Sequence, residues 1–187
     1  MVMKTLWNRV TRLSAWVKIV AAAVAVIFLA AAGFVWYQNS QFPANTSDGK
    51  LNFWLNDKPA GSGSYLWTDN LINSASATDM TAAVQCPANA TEAFTFLAYP
   101  GQERKGLLFW PAYGQSAFMP GTTKVLETNL KPSAMISGQP GPRYIHSIGG
   151  NFSIGLACTT NSGGSVLWVA YRHATVQAGG GIQIFDN

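Results

Sequence analysis

Hydrophobic positions along this chain fall into two regimes. Ile19–Tyr37 is an unbroken apolar run with no charged residue. As a helix it would span roughly 28 Å at about 1.5 Å per residue, close to the hydrocarbon thickness of a bilayer. Beyond Lys50 no long window keeps a 3.6-residue period. Short runs of β-branched, aromatic and apolar residues alternate there with Gly, Pro, Asn and Ser clusters, the pattern of strands joined by turns. Strands are predicted at 51–55, 64–68, 81–86, 93–99, 106–113, 123–128, 152–160, 165–176 and 181–185. The clearest hairpin joins 152–160 to 165–176 through Asn161-Ser162-Gly163-Gly164, residues that tolerate positive φ. A helical turn is expected over 131–137, with Pro132 in its first turn. Nine strands with so little helix predict an all-β fold, a β-sandwich of the immunoglobulin-like or jelly-roll type.

Charge placement sets a direction on this pattern. Lys4, Arg9, Arg12 and Lys18 precede the apolar run, and no basic residue follows it until Lys50. The positive-inside rule then puts the N-terminus in the cytoplasm and the β-rich part outside. Trp36 and Tyr37 close the run as interfacial aromatics, opposite Lys18 at its start. The expected organisation is a cytoplasmic segment over 1–17, a transmembrane anchor over 18–38, a linker over 39–50 and an extracytoplasmic domain over 51–187. Leu6, Val10, Leu13 and Val17 share one helical face, as expected for the cytoplasmic start of the anchor helix. A cleaved signal peptide is the competing reading, with Ala30-Ala31-Ala32 before Gly33. An uncleaved anchor is favoured, because the apolar run continues past that point.

Composition narrows the function. The chain of 187 residues is 48% hydrophobic and only 11% charged, against about 25% charged in an average soluble domain. Its net charge of +4 comes from the N-terminal segment: from Gln38 onward eight basic residues face eight acidic ones. The β-rich part therefore has no basic footprint for nucleic acid. Metalloprotease, lipase-type, nucleotide-binding and EF-hand motifs are absent from the sequence. His146 and His173 have no evident third ligand, so neither metal nor other cofactor is expected. A Ca²⁺ held by turn carbonyls would leave no sequence signature.

Cys86 and Cys158 are the only cysteines. Each falls on the expected core face of its strand, which in an oxidising compartment predicts one disulfide. Trp54 alternates onto the face opposite Leu51, Phe53 and Leu55, flanked by Asn52 and Asn56. Together with Trp67, Trp110 and Tyr113 it is a candidate carbohydrate platform or protein-binding hot spot; the competing expectation is that these aromatics cover the core. Three Asn-X-Ser/Thr sequons, at Asn45, Asn89 and Asn151, are near the number expected by chance.

Two resemblances bear on function. Leu156-Ala157-Cys158-Thr159, with Arg172 on the next strand, is faintly similar to the catalytic strand of sortase transpeptidases. That similarity implies a free Cys158 thiol as nucleophile, a histidine handling protons and an arginine stabilising charge. His146 and His173 sit at the wrong spacing and order for that family. More broadly, Phe118-Met119-Pro120-Gly121-Thr122-Thr123-Lys124-Val125-Leu126 and Gly149-Gly150-Asn151-Phe152-Ser153-Ile154-Gly155-Leu156-Ala157 resemble immunoglobulin-like sandwich modules of actinobacterial cell-surface proteins. This resemblance implies an envelope setting and no activity. The expectation is a non-enzymatic binding or structural module on the cell membrane, meeting a protein or glycan partner, as an accessory subunit of a larger complex.

Overall fold

The computed structural model describes residues 42–125 and 130–186, together with Val17, Val20, Ala21, Ala23, Val24 and Ala25. The chain divides into two compact units, Met1–Gln41 and Phe42–Asn187. In the first, the described residues are helical and exposed. Among the described residues no helix is long and apolar enough to cross a membrane. Most of the expected anchor over 18–38, with Lys18, Trp36 and Tyr37, and most of the segment over 1–17 lie outside the described residues.

The second unit is mostly antiparallel β-sheet. Its strands are β1 (Asn52–Leu55), β2 (Lys58–Ala60), β3 (Gly63–Tyr65), β4 (Ile72–Ser74), β5 (Val84–Gln85), β6 (Glu92–Ala98), β7 (Ala112–Ser116), β8 (Lys124–Val125), β9 (Ile136–Ser137), β10 (Gly150–Thr160), β11 (Ser165–Val176) and β12 (Ile182–Ile184). Seven of them form one sheet in the order β3-β12-β11-β10-β6-β7-β9; β2-β1-β4 and β5-β8 form two smaller sheets. One helix, α1 (Pro142–Ile148), starts with proline in its first turn and stops at Gly149.

The long hairpin β10–β11 is the spine, and its turn carries positive φ at Asn161, Ser162 and Gly163. Strict alternation gives β10 two buried faces. Phe152, Ile154, Leu156 and Cys158 join the main core with Phe53, Leu71, Leu97, Leu130, Ile145 and Ile184. Ala157 belongs to a second cluster with Phe94, Phe96, Trp110, Val169 and Tyr171. Both faces of the large sheet are therefore covered where β6, β10 and β11 meet.

Two expected elements are corrected. The run 106–113 is not one strand. Gly106 takes φ 82°, Leu107–Phe109 form a 3-10 turn, and β7 begins only after Pro111. Over 131–137 the helical turn is confined to Pro132–Ala134, and Ile136–Ser137 pair with β7 as an edge strand. The stretch read as a linker over 39–50 is, in its described part, a strap tied to β11. Asp48 N–H donates to Val169 O at 2.8 Å and Val169 N–H donates to Asp48 Oδ2 at 2.9 Å. Ser47 Oγ donates to Tyr171 O and accepts from Tyr171 N–H. The strap occupies the part of β11 that β12, pairing only with Ala174–Val176, leaves open.

Candidate functional site

Cys86, just after β5, is bonded to Cys158 in β10, with Cα atoms 5.6 Å apart. The bond ties a small sheet to the large one, and both cysteines are buried. This corrects the sortase-like reading, which needs a free thiol. His173 is also displaced from that role, because it lies on the β11 face that carries Tyr171, opposite the face of Cys158. His146 is held in α1, stacked on Trp67 at 5.1 Å, with its Nε2–H donating to Gly180 O at 3.0 Å. Among the described residues no three His, Cys, Asp or Glu side chains group to hold a metal ion.

The four aromatics do not assemble one platform. Trp54 is buried between β2 and β4, its indole N–H donating to Ser76 O at 3.4 Å. Trp67 is buried against α1. Trp110, 1% exposed, stacks on Phe96 at 4.6 Å. Tyr113 is half-buried and meets Phe94 edge-on at 6.0 Å. Trp110 and Tyr113 thus share the second cluster, while Trp54 and Trp67 serve other parts of the core. The physical reason is area: each such ring buries roughly 150–250 Å², and a unit with one seven-stranded and two small sheets uses them to seal its edges.

Exposed apolar surface gathers elsewhere, at the hairpin end of β11. Leu107 N–H donates to Gly163 O at 3.2 Å, and the Leu107 side chain packs against the second cluster. Leu108 is then thrown outward, 95% exposed, with Phe109 52% exposed beside it. Ile136 on edge strand β9, 62% exposed, pairs with Tyr113. Beside Leu107, Leu108 and Phe109 opens a cavity of about 630 Å³, which Tyr113, Gln139, Asn161 and Ser162 also line. Lys105, 5.3 Å above the Phe109 ring, is the one charged residue of that lining. Sequence reasoning missed this tip by reading 106–113 as a strand; the available signal was Gly106 followed by three large apolar residues and Trp-Pro.

At the other end of β11 a polar network fastens the strap. Glu103, 3% exposed, accepts from Ser153 Oγ at 2.6 Å and from Gly101 N–H at 2.9 Å. Ser153 Oγ lies 3.3 Å from His173 Nδ1, and His173 Nε2–H donates to Pro43 O at 3.0 Å. Phe42 stacks on the His173 ring at 4.5 Å. Burial holds the His173 pKa below its ordinary value, although the Pro43 hydrogen bond and the Glu103 carboxylate act in the opposite direction. The serine of this Glu–Ser–His chain is completely buried, so the chain is a fastening and presents no nucleophile. Nearer the hairpin, Arg104 donates to Thr46 O and Asp48 Oδ1 at 2.7 Å each. Burial raises the Asp48 pKa, but the Arg104 hydrogen bond, the Val169 N–H and the Arg104 charge together hold it below the ordinary value.

No protein-family model, curated protein or solved structure matches the chain.

Proposed function

We propose that this chain is a single-pass protein of the cell membrane, N-terminus inside, displaying a non-enzymatic β-sandwich that captures a protein partner in the cell envelope through the Leu107–Phe109 tip. The observation that carries the reading is an outward-facing Leu-Phe pair on a firm base: Leu107 is pinned to the Gly163 carbonyl and packed below, while Leu108 is almost wholly exposed. Clustered exposed apolar side chains are costly to keep in water and mark interaction surfaces. The N-terminal apolar run behind four basic residues and the disulfide support an anchored, exported setting. The resemblance to immunoglobulin-like modules of actinobacterial surface proteins agrees with it. The carbohydrate-binding alternative loses its support, because Trp54, Trp67 and Trp110 are buried.

The test is co-purification of the full chain from its own membranes in mild detergent. Leu108→Ser/Phe109→Ser is expected to leave unfolding stability within about 0.5 kcal/mol, since both side chains stand outside the core. The same double variant is expected to lose the co-purifying protein. Retention of that protein at wild-type yield would refute the tip as the docking surface.

A further inference from the structure

A second cleft, of about 560 Å³, lies between the Phe42–Lys50 strap, the β1–β2 hairpin and the chain beyond β12. Its chemistry centres on Arg172, which points from β11 into the cleft wall and is 9% exposed. The guanidinium lies 5.5 Å from the centre of the Phe53 ring. Its Nε–H donates to Phe185 O at 3.0 Å. Its Nη2 is paired with the Asp186 carboxylate. A buried cation requires such a partner, since an unpaired charge out of water is strongly unfavourable. The partner here is unusual. The Asp186 side chain is 74% exposed and lies beyond β12, where among the described residues it is held by Arg172 and a 2.7 Å bond from Ser62 Oγ. A buried guanidinium is thus neutralised by a solvent-facing carboxylate on the segment that follows β12.

That arrangement can exchange one carboxylate for another without leaving the arginine uncompensated. The planar fork of arginine suits a carboxylate in particular. Lys50 adds a second cation to the lining, in which Asp186 is the only acid. Phe53 and Pro59 supply apolar wall for the body of a ligand. We propose that this cleft binds a carboxylate-bearing ligand, a peptide chain end or a sugar acid, which seats its carboxylate on Arg172 and displaces Asp186. Asp186 then acts as a built-in competitor that sets the affinity.

The experiment follows the Arg172 Nε–H resonance of the full chain in detergent micelles during titration. The probes are N-acetylalanine, D-glucuronate and neutral N-acetylalaninamide. Saturable shifts with a carboxylate and none with the amide are expected. Asp186→Asn keeps a hydrogen-bond acceptor for Arg172 while removing the competing charge, so binding should tighten about tenfold, equal to roughly 1.4 kcal/mol. Lys50→Gln, a surface change that leaves the fold alone, should weaken binding several-fold. A response to N-acetylalanine alone assigns a peptide end; a response to glucuronate alone assigns a sugar acid. No saturable shift with either acid in Asp186→Asn, or equal affinity in Asp186→Asn and wild type, would overturn the proposal.

Discussion

At Gly155, in the middle of β10, the large sheet has no room for a side chain. A Cβ there would overlap the Ala170 carbonyl oxygen and stand 2.7 Å from Tyr171 Cβ. The obstruction is backbone, which cannot swing aside as a side-chain end can. Gly155→Ala should therefore cost at least ~2 kcal/mol of unfolding free energy, measured by urea denaturation. His173 makes a prediction of the opposite kind, visible without mutation. Its folded pKa is depressed, so below the ordinary value of about 6.5 the unfolded chain takes up a proton that the folded chain resists. Stability is complete at neutral pH and declines as pH falls from about 6.5 toward the folded pKa. Among the groups facing the imidazole are Glu103 through Ser153, the rings of Phe42 and Tyr171, and the Pro43 carbonyl. The urea midpoint should fall between pH 7.5 and pH 5.0 in the wild type, and that fall should shrink in His173→Gln. Asp48 does not confuse this window, because its depressed pKa places its loss of stabilisation below about pH 4.

The strap and the tip are the elements that separate this unit from a plain arrangement of sheets. The strap lies along the open edge of β11, and Asp48 bonds to Val169 in both directions. Asp48→Ala should raise amide exchange at Val169 and Tyr171 about tenfold or more, equal to roughly 1.4 kcal/mol of local opening, while the amides of β10 keep their protection. The tip depends on Gly106. Its φ of 82° is one that side chains disfavour, and an added Cβ would lie 2.6 Å from Gly163 O. Gly106→Ala should therefore loosen the tip from the hairpin, with a loss of about 1–3 kcal/mol in the same urea assay. Both elements show where the sequence was legible and where it was not. β6, β10 and β11 were readable because two-residue alternation continues for seven residues or more and the Asn-Ser-Gly-Gly turn marks their hairpin. β2, β4 and β9 have only two or three residues each, too few for a period to be seen. They exist because neighbouring strands present a partner. The Asn56-Asp57 turn, with φ of 51° and 60°, was the overlooked sign of the β1–β2 hairpin. Alternation also placed Trp54 correctly on the face opposite Phe53. It could not reveal that Pro59 and Ile72 flank Trp54 in the neighbouring strands, since strand order is a long-range property. α1 had its own punctuation in Gly141-Pro142 and Gly149-Gly150, but seven residues are too short for a helical period.

For the whole unit, the Cys86–Cys158 bond closes a loop of 72 residues, for which chain entropy gives about 4–5 kcal/mol. Reductant should lower the calorimetric unfolding temperature by roughly 8–20 °C, taking about 2–4 °C per kcal/mol for a unit of this size. An unchanged midpoint with both thiols demonstrably free would mean that the sheets hold each other without the bond. Strand order adds a constraint in time. Among the described residues β3, made early, joins the seven-stranded sheet through β12 alone, by way of the pairs Tyr65–Ile182, Ser64–Gln183 and Gly63–Ile184. More than a hundred residues are synthesised between those two partners. A chain that folds as it is made therefore carries an unfinished sheet border, an edge that invites pairing with other chains. That border waits for β12 to be made. A chain stopped before Ile182 keeps that edge open and is expected to be aggregation-prone.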